Sequence, residues 1–90
     1  MELTQQIRRV LESYGRLVTP VEEIGDLDDL YVRGLTSHAS VNVMLALEET
    51  FEVEFLDSML TRATFESIGS MRAALVELGV ADGASPAARG

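Results

Sequence analysis

Few residues in this chain have side chains that could perform covalent chemistry. The 90 residues include no cysteine and one histidine, His38, which directly follows Ser37. The pair could suggest a nucleophile and its base, but adjacent residues at a helix start point about 100° apart and do not face each other. No Gly-x-Ser-x-Gly motif surrounds the serine. The pair therefore does not favour a hydrolase, and we do not expect the chain to be an enzyme.

Two acidic segments could bind an ion or a partner. Asp26, Asp28 and Asp29 alternate somewhat like a calcium loop, but the glycine and the distal glutamate of such a loop are out of register. A solvated acidic loop is the favoured interpretation there. The second segment consists of Glu48, Glu49, Glu52, Glu54 and Asp57. With no basic residue among them, these acids form either a solvated helix face or a docking surface for a basic partner.

The charge balance restricts the kinds of partner. Fifteen Asp and Glu residues stand against seven Arg and no Lys, and the formal net charge is −8. Such a charge repels phosphate backbones and favours basic patches on other proteins. No apolar run approaches the roughly 18 residues that a membrane span needs, and the chain begins with an acid at Glu2 rather than with a basic secretory segment. We expect a monomeric cytoplasmic protein that binds neither nucleic acid nor membrane.

The length and the hydrophobic content of 47% predict a single small domain with one core. We expect this domain to span residues 1–79, followed by a flexible tail of small and polar residues at 80–90. A first helix is predicted by apolar residues at helical spacing, namely Ile7, Val10, Leu11 and Tyr14. It should end near Gly15, which can adopt the left-handed cap conformation.

A long first loop should connect this helix to the next one. The run Thr19-Pro20-Val21-Glu22 has the pattern of a capping box with proline at the first helical position, and it predicts one short turn. From residue 26 to residue 36 the periodicity is lost. The predicted anchors of this loop on the core are Leu27, Leu30, Tyr31 and Leu35.

The second helix is predicted from Ser37 to about Glu52, a stretch without proline or glycine. Met44, Leu47 and Phe51 repeat at helical spacing and are predicted to face the core. After a short turn at 56–60, Thr64 is predicted to cap a last helix that ends at Gly79. Its apolar stripe consists of Phe65, Ile68, Met71, Leu75 and Leu78. The fold class is therefore all-α, a small bundle of three main helices with a short helical turn and a long first loop.

A second strip runs along the second helix beside the core-facing residues. This outer strip consists of His38, Val41, Asn42, Leu45 and Glu48, with Glu49 at its rim. Val41 and Leu45 should be partly exposed, and a monomer has little structural reason to keep such apolar side chains at its surface. We therefore predict that the outer strip is a docking surface, with the two glutamates contacting basic residues of a partner.

The start of the second helix admits a structural and a functional interpretation. The run Gly34-Leu35-Thr36-Ser37 places two hydroxyls there, and either Thr36 or Ser37 could simply be the N-cap. A helix N-terminus also carries free N–H groups and a partial positive charge, which favour an attached phosphate. The local pattern alone leaves both interpretations open.

The wider sequence resembles the acyl carrier protein family. In that family a loop ending in Gly-x-Asp-Ser-Leu leads into a helix that ends in Leu-Glu-Glu-x-Phe. Here the corresponding runs are Gly34-Leu35-Thr36-Ser37-His38 and Leu47-Glu48-Glu49-Thr50-Phe51. The downstream run Ala63-Thr64-Phe65-Glu66-Ser67-Ile68 is similar to the start of the family's last helix. The resemblance covers residues 5 to 78.

This resemblance implies a role for Ser37. In the family, the matching serine accepts 4′-phosphopantetheine from coenzyme A through a phosphodiester, in a reaction performed by a phosphopantetheinyl transferase. The thiol at the end of this arm carries the cargo as a thioester. A chain without cysteine could thus take part in thiol chemistry without being a catalyst.

Departures from the family pattern indicate the type of carrier. Thr36 replaces the usual acid, His38 replaces the leucine, and Asn42 stands where fatty-acid carriers usually have glutamate. The uncharged run after Ser37 is most similar to the bacterial aminoacyl carrier proteins. Those are charged by amino acid:carrier protein ligases that resemble truncated seryl-tRNA synthetases, and they serve a downstream acceptor enzyme that the sequence does not identify. The alternatives are a specialised fatty-acyl or polyketide carrier and a carrier-like binding module without a prosthetic group.

Overall fold

The computed structural model describes residues 2–80, and the regular elements in this part of the chain are all helical. The α-helices are α1 (Leu3–Tyr14), α2 (Ser37–Phe51), α3 (Arg62–Phe65) and α4 (Ile68–Glu77). Single 3₁₀ turns lie at Val21–Glu23 and Asp57–Met59. The prediction of three main helices, a short helical turn and a long first loop is confirmed. The predicted tail lies outside the described residues from Ala81 onward, whereas Val80 is partly buried against the core.

The core is built from one apolar stripe on each long helix. Helix α1 packs against both α2 and α4, and α3 packs against α4. The buried positions of α1 are Leu3, Ile7, Val10 and Leu11, those of α2 are Ala39, Val43, Leu47 and Phe51, and those of α4 are Ile68, Met71, Ala74 and Leu75. The spacing of three and four residues is what places each set on one helix face. Tyr14, predicted to extend the α1 stripe, is 48% exposed.

The first loop is held at two places along its length. Arg8 of α1 donates hydrogen bonds to the Val21 carbonyl (2.7 Å) and to Asp26 (2.8 Å). Further along, the Leu30 N–H donates to the Glu66 carbonyl at 2.7 Å. Of the predicted anchors, Leu30 and Leu35 are buried and Tyr31 is half-buried, but Leu27 is 87% exposed. The prediction for Leu27 was wrong, and the nearby loop residue that is buried is Ile24.

Three helix-end predictions require correction. Gly15 is right-handed (φ −78°), and the left-handed residue after α1 is Arg16 (φ 52°). The capping box at 19–22 does not form, since Pro20 precedes the 3₁₀ turn and no side chain caps it. Thr64 lies within α3, and the N-cap of α4 is Ser67, whose hydroxyl accepts from the Ser70 N–H.

The predicted end of the last helix is confirmed. Gly79 has φ +100° and follows the last helical turn, where its N–H donates to the Val76 carbonyl at 3.0 Å. The Val80 N–H donates to the Leu75 carbonyl at 3.0 Å. This pair of bonds is the Schellman arrangement, which satisfies carbonyls that a helix end would otherwise leave unpaired.

Candidate functional site

The structure decides between the two hydroxyls at the start of α2. Thr36 is extended (φ −99°, ψ 164°), and its side chain accepts a hydrogen bond from the Ala39 N–H at 3.0 Å. Thr36 is therefore the N-cap. Ser37 is the first residue of the helix, is exposed, and its hydroxyl has no hydrogen-bond partner among residues 2–80. Its hydroxyl is thus accessible and is not needed to end the helix.

The loop before Ser37 is held by a close backbone approach at Gly34. This residue has φ +109°, and a Cβ atom there would lie 2.9 Å from the Val18 nitrogen. That nitrogen donates to the Arg33 carbonyl at 3.0 Å. Only glycine tolerates both the positive φ and the close contact. Together with the buried Leu35, this arrangement fixes where α2 begins and therefore where Ser37 is presented.

The first turn of α2 is electrostatically suited to an attached anion. It contains no acidic residue, so the partial positive charge of the helix N-terminus is not neutralised there. Ser40, one turn further along, is half-buried, and its hydroxyl donates to the Ser37 carbonyl at 2.7 Å. Of the two serines in this turn, Ser37 is the one with an uncommitted hydroxyl.

A groove of about 470 Å³ runs beside Ser37, between α2 and the segment 60–65. Ser37, Ser40, Thr61 and Arg62 contribute polar side chains to its wall, and Val41, Met44, Leu60 and Phe65 contribute apolar ones. Met44 was predicted to face the core; it is half-buried, packs against the core and also lines this groove, whereas Val43 is the fully buried residue. The periodicity could not distinguish the two because they are adjacent apolar residues at the edges of the same stripe.

The groove also contains a pair of residues that no sequence pattern indicated. The guanidinium carbon of Arg62 lies 3.9 Å from the centroid of the Tyr31 ring, a cation–π contact. Tyr31 comes from the first loop and lines the same groove. No local spacing could reveal a contact between residues 31 positions apart, because it depends on how the loop docks onto the junction of α3 and α4.

The outer strip has the predicted exposure. Val41 and Leu45 are 50% and 52% exposed, respectively. His38 and Glu49 are exposed, whereas Asn42 and Glu48 are half-buried. The Glu48 carboxylate accepts from the Phe55 N–H at 2.9 Å, so it stabilises the turn after α2 and is less available to a partner. The use of this strip for docking stays a prediction.

The acidic loop has a structural explanation for each carboxylate. Asp26 pairs with Arg8 at 2.8 Å, and Asp28 accepts from the Gly25 N–H at 2.9 Å. Asp29 accepts from the Tyr31 N–H at 2.9 Å. Within residues 2–80 no cluster of His, Asp and Glu side chains is arranged to hold a metal ion. In the same part of the chain, no helix is both long and apolar enough to cross a bilayer.

Comparison with known proteins relates this geometry to a family. No family model matches the chain. An aminoacyl carrier protein of Agrobacterium fabrum (strain C58 / ATCC 33970) is 52% identical over 62 residues, which are 69% of this chain and 75% of that protein.

Solved structures support the same relationship. One match is to the crystal structure of engineered Bradyrhizobium japonicum glycine:carrier protein ligase complexed with carrier protein from Agrobacterium tumefaciens and AMP. Its TM-score is 0.80 at 43% identity, over 82% of this chain and 99% of the matched chain. A second match, to the Bradyrhizobium japonicum ligase complexed with glycylated carrier protein, has a TM-score of 0.68 at 24% identity over 79% and 95% of the two chains, and shows the fold alone. By its sequence and its helical fold, the chain belongs to the aminoacyl carrier protein family.

Proposed function

We propose that Ser37 carries a 4′-phosphopantetheine arm, and that the chain holds an aminoacyl group on this arm as a thioester. The supporting observation is that the two hydroxyls at the start of α2 have different roles. Thr36 caps the helix through the Ala39 N–H, which leaves the exposed Ser37 hydroxyl uncommitted. The fold needs the Thr36 hydroxyl and does not need the Ser37 hydroxyl, and the proposal follows from this difference.

The surroundings of Ser37 fit such an arm in three respects. A phosphodiester on the hydroxyl would lie at the N-terminus of a 15-residue helix, where an anion is stabilised. The mixed polar and apolar groove beside Ser37 matches an arm that contains both amide groups and methylene groups. The chain has no cysteine of its own, so the thiol that carries the cargo must be supplied from outside. When bound, the group supplies that thiol.

The residues of the chain would then position and present the cargo without reacting with it. Thr36 and Gly34 fix the start of α2 and therefore the attachment point. The exposed Val41 and Leu45 lie on the same helix and offer apolar contacts to an enzyme that approaches the arm. The exposed Glu49 at the rim of the outer strip would mainly accelerate association with a basic partner. These features are those of an attachment and docking module, and catalysis belongs to the partner enzymes.

The first test is modification by coenzyme A and a phosphopantetheinyl transferase, measured by intact mass. The wild-type chain should gain one phosphopantetheinyl group. Ser37→Ala should gain none and should keep its helical circular dichroism, since the Ser37 hydroxyl supports no contact in the fold. Ser40→Ala is the matched control and should still be modified. Modification of Ser37→Ala, or none of the wild type, would refute the assignment.

The second step of the test concerns the cargo. We infer that a ligase resembling truncated seryl-tRNA synthetases charges the arm with a small amino acid, and glycine is the first to test, given the ligase in the related complex. The holo form should become aminoacylated with ATP and glycine, through a bond sensitive to hydroxylamine, and the apo form should not. Loading by a fatty-acyl ligase without any amino-acid loading would instead favour the acyl-carrier alternative. A cytoplasmic location and a monomeric state stay predictions.

A further inference from the structure

Arg62 differs from two other arginines near the first loop in the way its charge is used. Arg8 and Arg33 each pair with an aspartate, at 2.8 Å and 3.3 Å respectively. Within residues 2–80, Arg62 has no carboxylate partner, and its guanidinium lies over the Tyr31 ring at 3.9 Å. In a chain with a net charge of −8, this cation is thus held by an aromatic ring and not by an acid.

The contact with the ring leaves the N–H donors of the guanidinium uncommitted. Within residues 2–80 the Arg62 side chain has this ring contact and no hydrogen bond or ion pair, so its five N–H donors have no acceptor. The contact also restricts a long and flexible side chain, which reduces the entropy lost when the group binds a ligand. Arg62 is therefore an oriented donor without an acceptor, and it is the one cationic residue among the described residues that line the groove beside Ser37.

We propose that Arg62, held in place by Tyr31, binds the phosphodiester of the arm on Ser37. The inference rests on the proposed function, since it requires the arm. A phosphodiester presents two non-bridging oxygens and a negative charge, which is the geometry that an arginine fork recognises. The N-terminus of α2 would contact the phosphate from one side and the guanidinium from the groove side. Tyr31 acts as a positioning residue for the guanidinium.

The test is a thermodynamic cycle in which one change is the attachment of the arm and the other is the substitution of an arginine. Melting temperatures are measured for the apo and holo forms of the wild type, of Arg62→Gln and of Arg9→Gln. Arg9 is an exposed arginine of α1 outside the groove, so its variant matches the loss of charge without removing the contact. Each form is verified by intact mass before it is melted.

Modification should raise the melting temperature of the wild type by at least about 2 °C more than it raises that of Arg62→Gln. This is the effect expected for an exposed charged pair in a domain of this size. Arg9→Gln should behave like the wild type, and 1 M NaCl should remove the difference because it screens the pair. The ³¹P resonance of the holo protein should move in Arg62→Gln and not in Arg9→Gln. Tyr31→Leu should lose part of the extra rise in melting temperature that modification gives the wild type.

If modification changes the melting temperatures of the wild type and Arg62→Gln equally, and the ³¹P resonance does not move, the proposed contact is wrong. That result combined with weaker ligase binding by Arg62→Gln would assign Arg62 to the partner surface instead. If Tyr31→Leu keeps the whole of the extra rise in melting temperature, the positioning role of the ring is wrong. Failure of the proposed function is distinguishable, since the wild type would then show no mass increase, and this would overturn both proposals.

Discussion

Helices α2 and α4 begin with the same capping chemistry but use their serines differently. In α2 the Thr36 hydroxyl accepts from the Ala39 N–H at 3.0 Å, and in α4 the Ser67 hydroxyl accepts from the Ser70 N–H at 3.0 Å. Ser67 is only 7% exposed and its Oγ also contacts the Ser70 Oγ at 2.9 Å. Ser37 lies one position inside its helix and is exposed. The hydroxyl at each N-cap is therefore committed to its helix, whereas the Ser37 hydroxyl is not.

The two helices also differ in where their apolar side chains lie. In α4, Ile68, Met71 and Leu75 are fully buried, and the exposed Val76 is near the C-terminal end. In α2, Val41 and Leu45 are about half exposed and follow Ser37 within the first nine residues of the helix. The helix that carries the available hydroxyl thus also keeps an apolar surface in solvent, which is what a docking module requires.

The largest expected effects come from two substitutions on opposite faces of α2. Val43→Asp should prevent folding, because it buries an unpaired carboxylate at a position that is 0% exposed, and its helical circular dichroism should be lost. Leu45→Asp should leave the melting temperature almost unchanged. It should weaken ligase binding more than tenfold, or over about 1.4 kcal/mol, in a titration of the holo form.

These two variants test whether the faces of α2 have separate functions. If Leu45→Asp unfolds the domain, Leu45 belongs to the core and the comparison of the faces is wrong. If ligase binding survives Leu45→Asp, the partner contacts another face, for which the loop from Asp26 to Thr36 is the first candidate.

A smaller effect is expected from removing the hydroxyl at the start of α4. Ser67→Ala should destabilise the domain by about 1 kcal/mol, because it leaves the Ser70 N–H without its cap. For a domain of this size the melting temperature should fall by about 4–8 °C. Modification by coenzyme A and the transferase should be unchanged. Ser37→Ala should instead lose the modification and keep its melting temperature. A similar loss of stability in both variants would mean that the two helix starts do not differ in this way.

The sequence predicted the elements well and their ends less well. The strong periodicities of α1 and α2 and the glycine at Gly79 identified helices whose bounds the structure reproduces closely. The last helix was predicted to begin three residues early, because Thr64 and Ser67 are both hydroxyl residues before an apolar stripe. Only the packing of Phe65 in a separate turn, edge-to-face with Phe55 at 5.5 Å, distinguishes them.

The candidate site divided in the same way. Ser37 was singled out because the run around it resembles the acyl carrier protein family, whereas the local pattern alone left the N-cap interpretation open, and its role stays a prediction. The Tyr31–Arg62 contact was not found, because it forms only when the Leu30 N–H bonds to the Glu66 carbonyl and brings the loop against α3. Leu27 was misjudged for a related reason, since hydrophobicity alone does not determine which leucine of an irregular loop faces the core.

The smallest expected effect comes from placing an acid at the exposed cap of α2, and the same change at the buried cap of α4 provides the contrast. Thr36→Asp keeps an acceptor for the Ala39 N–H and adds a negative charge at an exposed helix N-terminus, which should stabilise the apo form by about 0.3–1 kcal/mol. The gain should be smaller in the holo form, because the new carboxylate would repel a phosphodiester on the adjacent Ser37. Ser67→Asp should instead destabilise both forms, because that cap is buried. Urea unfolding of the apo and holo forms measures these differences. If Thr36→Asp raises the free energy of unfolding equally in the apo and holo forms, the arm's phosphate lies away from the helix start. The caps of α2 and α4 would then differ in their exposure alone.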